Sequence, residues 1–449
     1  MVAPPEMRFT KIRREAISEY AAGSLWVRPT VAALVAIVAG ALLSQVTIGP
    51  DSRLAPVAFQ GTADDARALL IGITGTVVTV IALVLGLTVV ALQLSSTQFS
   101  PRLLRNFLRD RPNQLVLSVF LATFAYTAAG LYTVGVHAGG RTEVFPRLAV
   151  SGSIVLLFAS LGMVVFFADH LAHSIQIDAI MRVVESSTIS VIQGRTEVLE
   201  EADPPAAPEW AVPVLASRSG YVQAAHPEIL LPMAVRTGVS VRLRPRLGEH
   251  VVVGTVLAWI WPRSVDDPVP DSSAFRHDLD AAVRIGFERT LEQDAGLGIR
   301  QLVDIACKAL SPAVNDPYTA VQAVDHLSVI LSELARTSLG SHVARDPAGT
   351  SLVIVPGRHF DGYLRVPCGL IRRYGSGEPT VSLALLRMLA TCGAAIGPAS
   401  EHWGTLDEEA SLIVADADRE VAQPADLVAI HAKAASLRED AARLRGYGS

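Results

Sequence analysis

Lysine is almost missing from this chain: Lys11, Lys308 and Lys433 are the three among 449 residues. A covalent carrier role needs an acceptor lysine, and the long gap between Lys11 and Lys308 excludes one there. Cysteine is as sparse, and Cys307, Cys368 and Cys392 stand far apart with no CxxC pair. That spacing suggests neither a disulfide framework nor a zinc site. Charged residues make up only 18% of the chain and the formal net charge is −5, a poor match to nucleic acid as a partner. No GxSxG, P-loop, HExxH or glycine-rich dinucleotide fingerprint occurs. No nucleophile–base pair can be assembled, so an enzyme is disfavoured and no cofactor is implied.

What the chain has in excess is apolar sequence, which accounts for 50% of its residues and is concentrated before Asp169. Four runs, 29–48, 69–94, 115–136 and 148–168, contain no Asp, Glu, Lys or Arg. Each is long enough to cross about 30 Å of hydrocarbon at about 1.5 Å per residue. The first exceeds a usual signal-peptide core and lacks a clear cleavage site, so it reads as a retained helix. Lys11, Arg13, Arg14 and Arg28 precede it, and Arg102, Arg105, Arg109 and Arg111 fill the loop after the second run. The opposite loops offer only Arg53 and Arg67, then Arg141 and Arg147. Positive flanks favour the cytoplasm, which predicts a multi-pass protein of the bacterial inner membrane with both termini cytoplasmic.

The second run carries Gly72, Gly75, Thr76 and Thr79 at spacings that stack small residues on one helix face. Tight packing, within one bundle or between copies, is favoured over a threonine-lined pore because no charged filter ring is present. Membrane lipid and a second copy of the chain are the expected partners. At the exit of the fourth run, Asp169, His170 and His173 sit three and four residues apart, a spacing that could offer a carboxylate and imidazoles to a metal. Polar residues at a membrane exit meeting water and headgroups are the favoured explanation, and a metal would need another ligand from elsewhere.

Beyond Asp169 the charge mixture becomes ordinary. Helical spacing from Ile175 to about Glu200 predicts a stalk, which ends in the proline-rich linker 203–210. Short alternating runs at 212–215, 220–223, 239–243, 250–253 and 257–261 predict a small β module over 211–262. Its phrasing, Ser219-Gly220-Tyr221-Val222 with Gly248-Glu249-His250-Val251-Val252-Val253-Gly254, resembles the half-barrels of biotinyl and lipoyl carrier domains. From 273 to 449 helices are expected over 278–294, 298–310, 318–334, 363–374, 380–395, 406–422 and 424–445, with an edge strand at 351–355. The expected fold is therefore a four-helix membrane domain over 29–168, after a cytoplasmic segment 1–28, followed by a soluble α+β domain that is mostly helical.

The most pointed constellation runs from Arg289, Gln293 and Asp294 through Arg300 and Asp304 to Asn315-Asp316-Pro317-Tyr318-Thr319. Asn315 or Asp316 before Pro317 is a helix start, in which a side-chain oxygen caps free amides and proline takes the first helical position. Arg300 and Asp304, four apart, would pair on one face. The functional alternative is that Arg300, Asp304, Asn315, Asp316 and Thr319 converge on a small ligand or a protein partner. Arg372 and Arg373 read as a solvated face or a contact for acidic headgroups.

Gln98-Phe99-Ser100-Pro101-Arg102, Ser174-Ile175-Gln176, Ser219-Gly220-Tyr221-Val222-Gln223, Gly298-Ile299-Arg300-Gln301-Leu302-Val303-Asp304-Ile305-Ala306 and Asn315-Asp316-Pro317-Tyr318-Thr319-Ala320 together resemble a bacterial family of predicted membrane proteins, domain of unknown function 2254. The resemblance implies the membrane architecture and no reaction. Where that family commonly has a His-His pair after the fourth helix, this chain has Asp169-His170, which weakens the metal alternative. A membrane assembly without enzymatic activity, regulated by its soluble domain, is the leading expectation; a membrane-tethered sensor or scaffold is the alternative.

Overall fold

The computed structural model describes residues 26–46, 56–98, 111–138, 145–174, 176–194, 205–268, 271–346, 351–397 and 401–446. The loop arginines 102, 105 and 109, the basic residues Lys11, Arg13 and Arg14, Arg53, Arg141, Phe99 to Pro101 and Ile175 lie outside them. The chain divides into two compact units, Met1–Gln176 and Ile177–Ser449.

The first unit holds α1 (Val27–Ser44), α2 (Ala63–Gln98), α3 (Arg111–Ala138) and α4 (Arg147–Ser174). Thr62 and Asp65 start α2 reciprocally: the Thr62 amide donates to Asp65 Oδ2 at 2.9 Å and the Asp65 amide to Thr62 Oγ1 at 3.2 Å. This satisfies amides that a first turn leaves free. Helix α3 is the hub, packing on α1, α2 and α4. Its hydroxyls bridge to both neighbours, Thr127 with Thr74 of α2 at 2.9 Å and Thr123 with Ser160 of α4 at 2.9 Å. Tyr126 donates to the Ala149 carbonyl at 2.8 Å, and its ring packs beside Gly40 of α1. Ile73, Val77, Val84, Val116, Phe120 and Phe167 form the apolar core of this unit.

The outside of this unit is as apolar as its inside. Leu34, Val38, Leu83, Val90, Phe158 and Val165 are all exposed. Water would make such a surface unfavourable by about 25 cal/mol per Å², whereas lipid would not. At 36 residues α2 measures about 54 Å, well beyond the hydrocarbon thickness.

Among the described residues five helices are long and apolar enough to cross a membrane, these four and α11 (Pro379–Ile396) of the second unit. Helix α11 differs in surroundings: half of its apolar stretch is buried inside the protein, against 17–28% in the other four.

The second unit begins with α5 (Ile177–Gln193). The sequence suggests a stalk here, but α5 lays Met181, Val184, Thr188 and Ile192 against α8 (Ala295–Ala309) and α9 (Pro317–Ala335). Gly298 permits the close approach, since a Cβ there would come within 2.9 Å of Thr188 Cβ. Glu185 holds His326 of α9 at 2.6 Å.

Strands β1 (Val212–Leu215), β2 (Gly220–Ala225), β3 (Val239–Leu243), β4 (His250–Val251) and β5 (Val256–Pro262) fall where alternation predicts them. The module is not closed over 211–262, however. One sheet has the order β1-β5-β3-β8-β7, with β7 (His342–Arg345) and β8 (Leu352–Val355) arriving from beyond α9; the other is β4-β2-β6. β8 pairs parallel with β3, so it is interior rather than the expected edge strand. Strand β6 (Val283–Gly286) interrupts the expected 278–294 helix, because α7 (Ser272–Ala282) ends as the apolar period shifts from helical to two at Val283 and Ile285. An additional helix, α6 (Pro227–Thr237), covers the sheets with α7, burying Leu230, Met233, Phe275 and Leu279 against Val214, Val241, Leu243, Ile260 and Val353.

The remainder is a helical layer of α8, α9, α10 (Phe360–Gly375), α11, α12 (Trp403–Glu420) and α13 (Pro424–Gly446). Arg372, expected on a solvated face, is largely but not fully buried and pairs with Asp416 of α12, which also holds Arg419. Only Arg373 of that doublet is exposed.

Candidate functional site

The α8–α9 corner brings its sequence-predicted residues together as two local pairs. Arg300 Nε donates to Asp304 Oδ1 at 2.7 Å on α8, with the carboxylate mostly buried and the guanidinium half-exposed. The chain then turns at Ser311, whose carbonyl accepts from the amides of Val314 and Asn315. Asn315 has φ +52°, a left-handed conformation that asparagine tolerates better than most residues. Asp316 caps α9: Oδ1 accepts from the Thr319 amide at 3.1 Å and Oδ2 from the Thr319 hydroxyl at 2.6 Å, with Pro317 in the first turn. Those hydrogen bonds hold the Asp316 carboxyl below its ordinary value. Capping gives Asp316, Pro317 and Thr319 a complete local role.

Arg289 and Asp294 form a second, deeper feature, where the sheets meet α8. Arg289 Nε and Nη2 reach Asp294 Oδ2 at 2.8 and 2.6 Å. Asp294 is only 5% exposed, and burial pushes its carboxyl up while Arg289 and Arg358 pull it down. Gly248, at φ +80°, lies directly over the pair: a Cβ there would sit 2.8 Å from Arg289 Nε and closer still to the carboxylate. Gln293 Oε1 accepts from the Ala225 amide at 3.0 Å, and Gln223 Nε2 donates to the Glu288 carbonyl at 2.7 Å. The 286–294 segment thus latches β2 to the helical layer.

A third feature is a cleft of about 700 Å³ on the outer face of the five-stranded sheet. Arg242, Arg244 and Arg246 line it from β3 and its continuation, opposite Trp259 of β5, with Glu209 and Glu249 in the same wall. Arg242 and Trp259 are register partners, so their side chains share one face. Arg242 also donates to the Pro205 carbonyl at 2.7 Å, tying the 205–209 segment across the cleft. Sequence reasoning missed this cleft. Its one legible signal was arginine at alternate positions 242, 244 and 246.

In the first unit, Gly72, Gly75, Thr76 and Thr79 share an exposed face of α2, and a Cβ on Gly72, Gly75 or Gly86 would meet nothing within 4 Å. Thr76 and Thr79 return their hydroxyls to the carbonyls of Gly72 and Gly75, at 2.8 and 3.0 Å. At the end of α4, His173 Nδ1 lies 3.5 Å from Asp169 Oδ1 and 2.8 Å from the Asp169 carbonyl, while His170 stacks on Phe166. Among the described residues no group of three or more His, Cys, Asp or Glu gathers to hold a metal. The buried thiols are poor nucleophiles: burial raises Cys368 well above its ordinary value, Cys392 to about 12, and Cys307 to about 11.

An uncharacterized protein of Mycobacterium bovis is 42% identical to this chain over 433 residues, covering 95% of the chain and 82% of the relative. An uncharacterized protein of Mycobacterium tuberculosis gives the same figures. No solved structure matches the chain. The profile of the predicted membrane proteins DUF2254 matches residues 22–391, in keeping with the apolar exterior of α1–α4, and the chain belongs to that family.

Proposed function

We propose that this protein is a non-enzymatic, homo-oligomeric assembly of the bacterial inner membrane, crossing it four times through α1–α4 with both ends of the chain cytoplasmic. Its second unit regulates the assembly. Helix α11 is assigned to the cytoplasm because it is enclosed by α9, α12 and α13. The observation that carries the oligomer is the face of α2. Gly72, Gly75, Thr76, Thr79 and Gly86 are exposed on a single copy, whereas Thr74 on the opposite side is already bonded to Thr127. Ridges of small residues let helix backbones approach closely, and in lipid that van der Waals contact is a main source of association. Thr76 and Thr79 satisfy their own hydroxyls within α2, so the ridge needs no water.

The test is the mass of the full chain in mild detergent, by light scattering after size exclusion. The wild-type protein is expected to run as a closed oligomer, and Gly72→Leu with Gly75→Leu to lower its mass to that of one copy. A monomeric wild-type protein, or an oligomer indifferent to both leucines, would overturn the reading. Ion flux in liposomes then separates a passage from a purely structural assembly.

A further inference from the structure

We propose that the arginine-lined cleft beside β3 binds a nucleoside phosphate, through a site separate from the α8–α9 corner and independent of the α2 ridge. Exposure alternates from β3 into the bend that follows it, with Val241, Leu243 and Pro245 buried and Arg242, Arg244 and Arg246 turned outward, which gathers the three arginines in the cleft lining. Among the described residues, the exposed side chains of Arg244 and Arg246 have no ion-pair partner. Arg244 and Arg246 therefore offer two exposed guanidinium groups to an anion seated in the cleft. Guanidinium is the side chain best matched to phosphate, because its planar fork donates two parallel hydrogen bonds to adjacent oxygens.

The rest of the cleft narrows the class of ligand. Trp259 lies directly across from Arg242 and is half-buried, so it offers an apolar plane against which a ring can stack. Glu209 and Glu249 add carboxylates to the lining, which accept hydrogen bonds. They favour a ligand that carries N–H or O–H donors as well as its phosphate, as a base and ribose provide. Against three arginines they leave a formal charge of about +1, which suits a monophosphate better than a polyanion. The volume falls within the range of about 300–1,000 Å³ usual for small-molecule sites. The 205–209 segment, anchored by Arg242 to Pro205, forms one side of the chamber.

Equilibrium dialysis of the full chain in mild detergent tests this, using adenosine 5′-monophosphate and guanosine 5′-monophosphate as probes beside adenosine and inorganic phosphate. At least one nucleotide is expected to bind more tightly than either fragment. Arg244→Ala with Arg246→Ala is expected to weaken that binding by roughly tenfold or more per arginine, and Trp259→Phe by less. Both arginines are exposed, so the double variant keeps its melting temperature, which is checked in parallel. No binding at millimolar concentration, inorganic phosphate binding as tightly as the nucleotides, or nucleotide affinity unchanged in the double variant would each overturn the proposal. None of these outcomes bears on the oligomeric mass that tests the membrane assembly.

Discussion

Gly248 offers a controlled test of whether the Arg289–Asp294 pair supports the second unit. Gly248 and Gly254 have nearly the same left-handed φ, +80° and +81°. Alanine at either position therefore incurs the same left-handed strain, about 1–2 kcal/mol. Their surroundings differ completely. A Cβ at Gly254 meets nothing within 4 Å, whereas one at Gly248 sits 2.8 Å from Arg289 Nε and 2.9 Å from Nη2, against a buried carboxylate. Separating a buried ion pair outright costs about 3–5 kcal/mol, and a partial displacement less, so Gly248→Ala should lose about 2–4 kcal/mol beyond the shared strain. In a unit of this size each kcal/mol moves the melting temperature by about 2–4 °C. Gly254→Ala should then melt about 2–8 °C below wild type, and Gly248→Ala at least 4 °C or so below Gly254→Ala. Tryptophan fluorescence of the full chain in mild detergent reads this, since Trp210, Trp259, Trp261 and Trp403 all lie in the second unit. Equal melting temperatures for the two alanine variants would refute the argument that the pair is rigid and stabilising.

Glu409 is buried, one of its oxygens has no hydrogen-bond partner, and burial raises its carboxyl above the ordinary 4.5 despite Arg372 and Arg365. A raised carboxyl contributes its full stability below the unfolded value and loses it as pH rises through the folded value. Glu409→Gln should therefore stabilise the protein by about 1 kcal/mol at pH 8 and progressively less toward pH 4, measured by melting temperature; a destabilised variant at pH 8 would contradict this. Asp316→Ala should cost about 0.5–2 kcal/mol through the lost α9 cap, while Asn315→Gly at φ +52° should be neutral or slightly stabilising. Should Asp316→Ala leave stability untouched, the capping role fails, and a ligand role for the corner would regain its standing.

The sequence made the apolar helices and most of the helical layer legible because their periodicity is long and their caps are local. Pro317, Pro379 and Pro424 each begin a helix where a proline-based start predicts one. The strands β1 and β3 were equally plain, since alternation over four or five residues survives any tertiary arrangement. What could not be read were features set by partners distant in the chain. Four-residue β6 reads as the interior of a helix until β2 pairs with it. Pro227–Thr237 carries Pro232 inside it, which obscures a helical pattern that Leu230 and Met233 stabilise by burial. Of the candidate sites, the Asp316 cap was local and visible, whereas the arginine cleft exists only because the β3–β5 register sets Trp259 beside Arg242.

The parallel pairing of β3 with β8 couples the order of synthesis to completeness. Ser240 and Leu352 meet although 112 residues separate them. A nascent chain emerging from the ribosome must therefore leave the β3 flank uncovered until α8, α9 and the 342–355 hairpin have been made. Cutting the gene after 262 to express the strands alone would leave that flank without its neighbour, an invitation to edge-to-edge aggregation. A fragment that keeps β3 paired on both sides must begin before β1 and continue past β8.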